Sequence, residues 1–242
     1  MEYRDNMEQL AEALKDMGMA SDEETIWKFR RYMERILEWN EKVNLTSITA
    51  EDEFVTKHYM DSVSICAYSQ IKDAQSVIDV GTGAGFPGIP LAILFPKKRF
   101  LLLDSLNKRI RIIEELSWEI GLENVEFRHG RAEDLGRDKN CREKFDLCVS
   151  RAVANLTVLS ELCLPFVKVG GWFAAYKSGS VEIELEESLR AIGILGGRPE
   201  EIKRPDMKGF ELDHRIVFIE KTRKTPEKYP RKAGTPAKEP LK

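Results

Sequence analysis

A buried strand that runs directly into a glycine turn is the feature that most restricts the fold of this 242-residue chain. The segment VIDVGTGAG, residues 77–85, starts with apolar residues and then places Gly81, Gly83 and Gly85 at alternate positions. Glycine adopts positive φ and lets a ligand approach the backbone closely. In open α/β sheets, ligands bind outside the carboxyl ends of the strands. The segment therefore predicts an α/β fold with a nucleotide-containing ligand at this turn.

Further apolar segments separated by helical patterns extend this prediction along the chain. The predicted strands cover residues 76–80, 99–104, 125–130, 145–152, 171–177 and 214–220. Alternation of strands and helices predicts a mostly parallel sheet with helices on both faces, a three-layer sandwich. The link at 197–205 is short, and it favours a hairpin-like finish with an antiparallel last strand. Residues 1–70 carry helical patterns instead and predict an N-terminal helical extension.

The spacing of the glycines distinguishes between classes of nucleotide. Dinucleotide-binding turns follow G-x-G-x-x-G, and the third glycine of that pattern would fall at Phe86. The pattern present here is Asp79-x-Gly81-x-Gly83-x-Gly85. It resembles the first motif of the class I S-adenosylmethionine-dependent methyltransferases, in which the turn wraps a nucleoside that carries an amino acid.

Two later strand ends supply candidate partners for such a ligand. Asp104 ends the second predicted strand and can accept hydrogen bonds from ribose hydroxyls, in S-adenosylmethionine or equally in NAD. Ala132 and Glu133 follow the third strand, where class I methyltransferases place residues near the adenine. Glu133 fits equally well as an acidic residue in the first turn of a helix, which the helix dipole favours.

The fourth predicted strand lacks the groups that deprotonate an amine or attack a pyrimidine. It ends in Ser150-Arg151-Ala152-Val153-Ala154, without a carboxylate, a cysteine or the N/D-P-P-Y/F motif of amino-methylating enzymes. A nucleophile with an available lone pair, such as guanine N7, needs no general base, because orientation supplies most of the catalysis. Arg151 then fits as an anchor for a carboxylate, a phosphate or guanine O6, or as a structural ion pair at the strand end.

The composition restricts the classes of protein to which the chain can belong. No apolar run approaches the roughly 20 residues that span a bilayer, and the N-terminus lacks a signal-peptide pattern, so we expect a cytoplasmic protein. The four cysteines form no CxxC pair and the three histidines are far apart in sequence, so no metal is expected. The net charge is −3, but residues 221–242 hold eight Lys/Arg and two Asp/Glu, which leaves a nucleic-acid partner open.

Together these motifs closely resemble the bacterial 16S ribosomal RNA guanine-N7 methyltransferases, also called glucose-inhibited division protein B. The matching stretches are NLTSI (44–48), HYMDS (58–62), DVGTGAGFPGIPLAI (79–93), LLDSLNKRI (102–110), GRAED (130–134), SRAVA (150–154) and YPRKAGTPAKEPL (229–241). The resemblance implies a Rossmann-like class I methyltransferase core with S-adenosyl-L-methionine as donor. It also implies that the acceptor is a guanine N7 in the decoding-region loop of small-subunit rRNA, presented as RNA, as a 30S particle or as an assembly intermediate. Nothing suggests an obligate oligomer, and we expect a monomer.

Carried over position by position, the resemblance assigns two groups of residues. Arg151 is assigned to catalysis, and the cofactor contacts would be Gly81, Gly83, Gly85, Phe86, Asp104, Ser105, Ala132, Glu133 and Arg151. The candidates around an RNA-facing mouth are Asn44, His58, Asp61, Arg131, Arg231, Lys232 and Pro236. His58 on its own fits a packing role as well as a functional one.

The resemblance changes the interpretation of the C-terminal residues. By composition alone, residues 223–242 predict a disordered basic tail. In a methyltransferase for folded rRNA, Arg231 and Lys232 fit an ordered wall near the active-site mouth that contacts phosphates. The predicted organisation is therefore a helical extension (1–70), a methyltransferase core (71–222) and this basic tail (223–242).

Three other functions remain open from the residues. A class I methyltransferase for a small molecule or protein explains the cofactor turn but leaves the basic tail without a purpose. A nicotinamide-dependent oxidoreductase fits Asp104 but conflicts with Phe86 in the glycine pattern. The third is a non-catalytic RNA-binding or assembly module that retains a disused cofactor site.

Overall fold

The predicted apolar segments form one sheet in the computed structural model, which describes residues 6–151, 153–179, 181–207, 210, 212 and 214–241. Within these residues the strands are β1 (Ser76–Val80), β2 (Arg99–Asp104), β3 (Val125–His129), β4 (Phe145–Arg151), β5 (Val167–Ser178), β6 (Gly197–Lys203) and β7 (His214–Lys221). Their order across the sheet is β3-β2-β1-β4-β5-β7-β6. The first five strands pair in parallel, and β7 lies antiparallel to both β5 and β6.

This topology confirms the mostly parallel sheet with an antiparallel last strand. The prediction was wrong about β6, which was taken for a link between the last helix and the last strand. Pro199 and neighbouring charged residues make this segment unlike a buried strand. Proline is tolerated on an edge strand, and the β6–β7 pairing is irregular between Pro199 and Ile202.

Helices cover both faces of the sheet, as alternation with the strands predicted. They are α1 (Asn6–Asp16), α2 (Glu23–Asn40), α3 (Glu51–Phe54), α4 (Asp61–Val63), α5 (Ser69–Asp73), α6 (Gly88–Leu94), α7 (Asn107–Glu119), α8 (Ala132–Leu135), α9 (Leu156–Cys163), α10 (Val181–Ile194) and α11 (Thr235–Lys238). A π-helical turn (Val55–Met60) joins α3 to α4, and a 3-10 turn (Ser64–Ala67) follows. Such π-turns are rare and are found frequently at functional sites.

The N-terminal helices share a hydrophobic core with one face of the sheet. Phe29, Tyr32 and Met33 of α2 are buried in the same cluster as Leu102 of β2 and Ile89 of α6. A second cluster lies on the other face, beneath α9 and α10. The N-terminal helices are therefore packed directly against the sheet. Residues 1–5 of that extension and Lys242 of the predicted tail lie outside the described residues, as does Ala152 of the SRAVA motif.

Neither a membrane span nor a metal cluster is present in the same described ranges. None of their helices is long and apolar enough to cross a membrane. Within them, no three His, Cys, Asp or Glu side chains are grouped so that they could hold a metal ion.

Candidate active site

The three glycines of the turn differ in how much space surrounds them. Gly81, Gly83 and Gly85 all adopt positive φ, at 76°, 59° and 86°. A Cβ on Gly81 would lie 2.5 Å from Val153 Cγ2, and one on Gly85 would collide with Tyr32 Oη. At Gly83 nothing lies within 4 Å of that position. Packing therefore closes the first and third positions to side chains, while the backbone at Gly83 stays open to a ligand.

Asp104 at the end of β2 is tied to the glycine turn. Its Oδ2 accepts a hydrogen bond from Gly83 N at 2.9 Å, and its Oδ1 accepts one from Leu106 N at 2.8 Å. The side chain is buried, with Arg109 Nη1 at 3.9 Å from Oδ2. A carboxylate oxygen has two acceptor sites, so each oxygen keeps one for a further donor. Asp104 can hold the turn and bind a pair of hydroxyls at the same time.

A cavity of about 210 Å³ lies between this turn and the ends of β2 and β3. We call it the glycine-turn cavity. Five of the predicted cofactor residues line it, namely Gly81, Asp104, Ser105, Ala132 and Glu133. Arg131 and Pro236, which were predicted on the RNA side, line the same cavity. The structure therefore brings together most of the predicted cofactor site and adds part of the chain end to it.

Phe86 packs inside an aromatic cluster, whereas the prediction placed it against the cofactor. Its ring is buried and stacks on His58, with centroids 4.3 Å apart and planes at 4°. Phe54 meets it edge to face at 5.6 Å. Its backbone N–H donates to Thr82 O at 3.0 Å. The N-terminal helices thus surround a ring at the position where a dinucleotide-binding turn has glycine.

Arg151 is the centre of a polar network at the end of β4. Its Nη1 donates to Lys57 O at 2.9 Å and to Asp61 Oδ2, and its Nη2 donates to His58 Nδ1 at 2.9 Å. The guanidinium carbon also lies 5.4 Å from the centre of the Phe86 ring. The π-turn and α4 place His58 and Asp61 on one face, three residues apart, where both reach the same guanidinium.

His58 is held neutral by this arrangement. Because a guanidinium only donates, Nδ1 accepts the hydrogen bond from Arg151 and the ring proton is on Nε2. Nε2 faces Thr46 Oγ1 at 2.7 Å. Burial, and then the charge of Arg151, lower the pKa of His58 to about 3. Both ring nitrogens are engaged and the ring is a weak base, so His58 orients Arg151 instead of accepting protons from a substrate.

His214 completes the network and was not predicted. Its Nδ1 contacts Asp61 Oδ1, and its Nε2 lies 3.1 Å from Ser64 Oγ. Burial opposes ionisation of Asp61, but the hydrogen bond from His214 and the charge of Arg151 hold the pKa of Asp61 below its ordinary value. A sequence signal for His214 did exist. Because β7 is antiparallel, its first residue lies at the edge where the parallel strands end.

A second cavity, of about 520 Å³, opens beside this network. We call it the Arg151 cavity. Its lining residues come from the π-turn, α4 and the ends of β4, β5 and β7, and they are Thr56, Lys57, His58, Asp61, Arg151, Tyr176, Lys177, Ser178, Leu212 and His214. The cavity is basic and aromatic at its walls, which suits a nucleotide base with an attached phosphate.

Asp79 at the end of β1 is a buried carboxyl group with an unused oxygen. Oδ2 accepts from Thr82 Oγ1 at 2.7 Å and from Gly88 N at 2.9 Å, whereas Oδ1 has no partner among the described residues. Burial raises the pKa of Asp79 to about 7 against these hydrogen bonds. The charges of Arg151 and Asp104 both act on Asp79, whose side chain is fully buried and is not in the lining of either cavity. A cationic group bound near Asp79 would favour its ionised form.

The remaining predicted RNA residues have different surroundings. Arg231 is paired with Glu161, with Nη2 to Oε2 at 2.7 Å and Nε to Oε1 at 2.9 Å, and the Glu161 side chain is only 1% exposed. Its charge is therefore already matched inside the protein. Lys232 next to it is exposed, as is Asn44. The structure does not bring Asn44 or Lys232 into the lining of either cavity.

The comparisons with known proteins agree with this architecture. The sequence profile of the GidB family, described as rRNA small subunit methyltransferase G, matches residues 25–210. Proteins named ribosomal RNA small subunit methyltransferase G share 48% identity in Alkaliphilus metalliredigens, over 96% of this chain and 98% of the relative, and 47% in Clostridium perfringens, over 100% of both chains. The fold is similar to that of Aeropyrum pernix fibrillarin in complex with natively bound S-adenosyl-L-methionine, at 12% identity and a TM-score of 0.50, covering 62% of this chain and 68% of that one. These matches confirm the resemblance drawn from the motifs. The chain belongs to the rRNA small subunit methyltransferase G family.

Proposed function

We propose that the protein transfers a methyl group from S-adenosyl-L-methionine to N7 of a guanine in the decoding-region loop of small-subunit rRNA. The family supports rRNA as the substrate class, because its relatives are named for small-subunit rRNA methylation. The observation that carries the choice of N7 is the Arg151 cavity, where every carboxylate and imidazole in the lining is already hydrogen bonded.

The glycine-turn cavity fits the proposed donor. Asp104 keeps an acceptor site on each oxygen for the two ribose hydroxyls, and the position above Gly83 is open to the nucleoside. The free Oδ1 of Asp79 suits the ammonium group of the amino-acid half. Ala132 and Glu133 line the part of the cavity proposed for adenine. When bound, S-adenosyl-L-methionine supplies a methyl group on a sulfonium, which a nitrogen lone pair can accept directly.

The Arg151 cavity fits an acceptor that loses no proton. Asp61 bonds Arg151 and His214, and His58 bonds Arg151 and Thr46, so none of these groups is a free base. The lowered pKa values of His58 and Asp61 weaken both as proton acceptors. Methylation of an exocyclic amine releases a proton, whereas attack by guanine N7 releases none. This difference favours N7 over an amine as the acceptor.

The roles of the chain's own residues follow from this choice. Arg151, held by three partners, presents a fixed guanidinium to the base or its phosphate, and preorganisation of this kind lowers the cost of orientation. Methylation at N7 leaves the base with a positive charge. The carboxylate of Asp61, in the lining of the same cavity, stabilises that charge electrostatically. Lys57 and Lys177 also line the cavity, and each is paired with a glutamate, Glu53 and Glu184 respectively, so an RNA phosphate would compete with these carboxylates for them.

The direct test is a methylation assay with labelled S-adenosyl-L-methionine and two substrates, naked small-subunit RNA and 30S particles. We expect N7-methylguanine at a single position of the decoding-region loop in at least one of them. Arg151→Lys is the matched variant, because it keeps the charge but loses the forked geometry. Label on an exocyclic amine or a ribose, or no label in either RNA, would refute the proposal.

The same assay separates the alternative activities. A methyltransferase for a small molecule or a protein would bind the donor yet transfer nothing to RNA. A titration with NAD and with S-adenosyl-L-methionine tests the oxidoreductase alternative, because the proposed site binds the second ligand and rejects the first. Mass analysis of rRNA from a deletion strain tests the remaining alternative, a module without catalysis, since loss of the protein would then leave the modification in place.

A further inference from the structure

The chain end forms one wall of the glycine-turn cavity. Gly234 and Pro236 line that cavity together with Asp104. The Gly234 N–H donates to Glu133 Oε1 at 2.8 Å, and the Glu133 side chain is buried. We call residues 225–237 the C-terminal segment, and its last part, Gly234, Pro236 and Ala237, lines the proposed donor site. The basic side chains of this segment had suggested an RNA contact instead.

Charged side chains from the loop after α8 hold this segment by its backbone. Arg142 Nη1 donates to Tyr229 O at 2.8 Å, and Arg142 Nη2 donates to Thr225 O at 2.7 Å. Arg137 Nε donates to Pro230 O at 2.7 Å. Neither arginine is among the residues that line the glycine-turn cavity. Hydrogen bonds from a charged donor are stronger than neutral ones, so Arg142 is one strong fastening of the segment, and the ion pair of Arg231 with Glu161 is another.

The C-terminal segment is held differently from the other walls of the cavity. The strands and the glycine turn are fixed by the hydrogen bonds of the sheet. The C-terminal segment is held instead by side chains that bond its backbone. Loss of these side-chain hydrogen bonds would free the segment without disturbing the sheet.

We propose that the C-terminal segment is a closable wall of the donor site, fastened by Arg142 and Glu133, and that donor binding and closure of the wall stabilise each other. The inference rests on the proposed function, because it takes S-adenosyl-L-methionine as the ligand. Coupling of this kind is reciprocal: a ligand that favours the closed wall binds more weakly whenever the wall is unfastened. Arg142 is thus a positioning residue that acts on donor affinity from outside the cavity.

The test measures donor affinity and amide hydrogen exchange in the full-length chain, with S-adenosyl-L-methionine as the probe. In the wild type, we expect the donor to slow exchange across residues 229–237. Arg142→Ala should raise the donor Kd about tenfold or more and speed exchange of the segment, because charge-assisted hydrogen bonds are lost. Lys238→Ala, an exposed position directly after the same segment, is the control and should leave both measurements unchanged.

The outcomes separate this inference from the proposed function. A wild-type protein that does not bind the donor overturns the proposed function. A wild type that binds, together with an Arg142→Ala variant of equal affinity, overturns only the closable wall. If Arg142→Ala fails to fold, Glu133→Ala and Glu133→Gln decide the matter, because glutamine retains an acceptor for Gly234 N. If the segment is a closable wall, Glu133→Ala should bind the donor weakly and exchange the amides of the segment fast, and Glu133→Gln should restore both. If Glu133→Ala binds the donor weakly but exchanges at the wild-type rate, Glu133 contacts the donor directly and the closable wall is refuted.

Discussion

Arg151 Nη2 and His58 Nδ1 lie 2.9 Å apart although 93 residues separate them in the chain. A guanidinium has no acceptor, so this contact fixes both the tautomer and the charge of the histidine. It also fixes the direction in which Arg151 faces the cavity. The pair joins the π-turn to the end of β4, and it contains a titratable group whose charge depends on pH.

The neutral state of His58 predicts acid sensitivity. The pKa of His58 is about 3 in the folded protein, against an ordinary value near 6.5, so the unfolded state binds more protons between these values. The stability that neutral His58 contributes is therefore lost as pH falls below about 6.5. From pH 7.5 to pH 5, the wild type should lose about 2 kcal/mol more than His58→Gln in denaturant unfolding. Parallel pH curves for the two proteins would contradict this account.

Asp79 predicts a pH effect of the opposite sign. The pKa of Asp79 is raised to about 7, so the stability it contributes is complete below about pH 4 and is lost as pH rises through 7. Asp79→Asn removes this loss, and from pH 4 to pH 8 the variant should gain up to about 4 kcal/mol in unfolding free energy relative to wild type. Because asparagine carries no negative charge, donor affinity should fall in the same variant. Both changes are measurable by urea unfolding and by calorimetric titration; an Asp79→Asn protein with unaltered donor affinity would remove Asp79 from the proposed site.

The glycine turn predicts different consequences for two neighbouring substitutions. Gly83→Ala meets open space. The free energy of unfolding should therefore fall only by the cost of a positive φ for alanine, about 1–2 kcal/mol. The added methyl group should also block the donor. Gly85→Ala adds a collision with Tyr32 Oη and should destabilise the fold by clearly more. Thermal unfolding and donor titration of both variants provide the comparison. Equal destabilisation by the two substitutions would mean that the turn relaxes and that Tyr32 does not restrict it.

Substitutions at the neighbouring Arg231 and Lys232 should affect two different properties, the stability of the fold and the affinity for RNA. Arg231→Ala removes the guanidinium that neutralises the buried Glu161 and leaves it only the backbone N–H of residue 231, so we expect a loss of about 2–4 kcal/mol in the free energy of unfolding. Lys232→Ala at the exposed neighbour should change stability by less than about 0.5 kcal/mol. It should instead reduce the slope of RNA affinity against salt concentration by about one. RNA titrations at several KCl concentrations, with unfolding curves for both variants, test this; a salt slope lowered only by Arg231→Ala would reverse the assignment.

The sequence patterns predicted those strands and turns whose conformation depends on residues close together in the chain. The strand and turn around Gly81 and the position of Asp104 follow from residues close in sequence, and the strand bounds agree within a few residues. The roles of His214 and Glu161 were not predicted because each depends on a partner brought close only by the strand order. Glu161 meets Arg231 across 70 residues, and His214 meets Ser64 across 150. The cofactor contact of Phe86 came from the family resemblance and stays a prediction, while its stacking on His58 could not be predicted because it depends on the packing of the N-terminal helices.

The contact between Tyr32 and the glycine turn has a consequence for how such proteins can diverge. Tyr32 Oη donates to Ala84 O at 3.0 Å, and the same hydroxyl occupies the space that a side chain at residue 85 would need. A helix outside the nucleotide fold thus supports the loop that defines it. Exchange of the N-terminal helices between methyltransferase families at the first strand would leave the Ala84 carbonyl without this donor. The helices and the loop are therefore expected to be inherited as one unit, and recombination that separates them would be counter-selected.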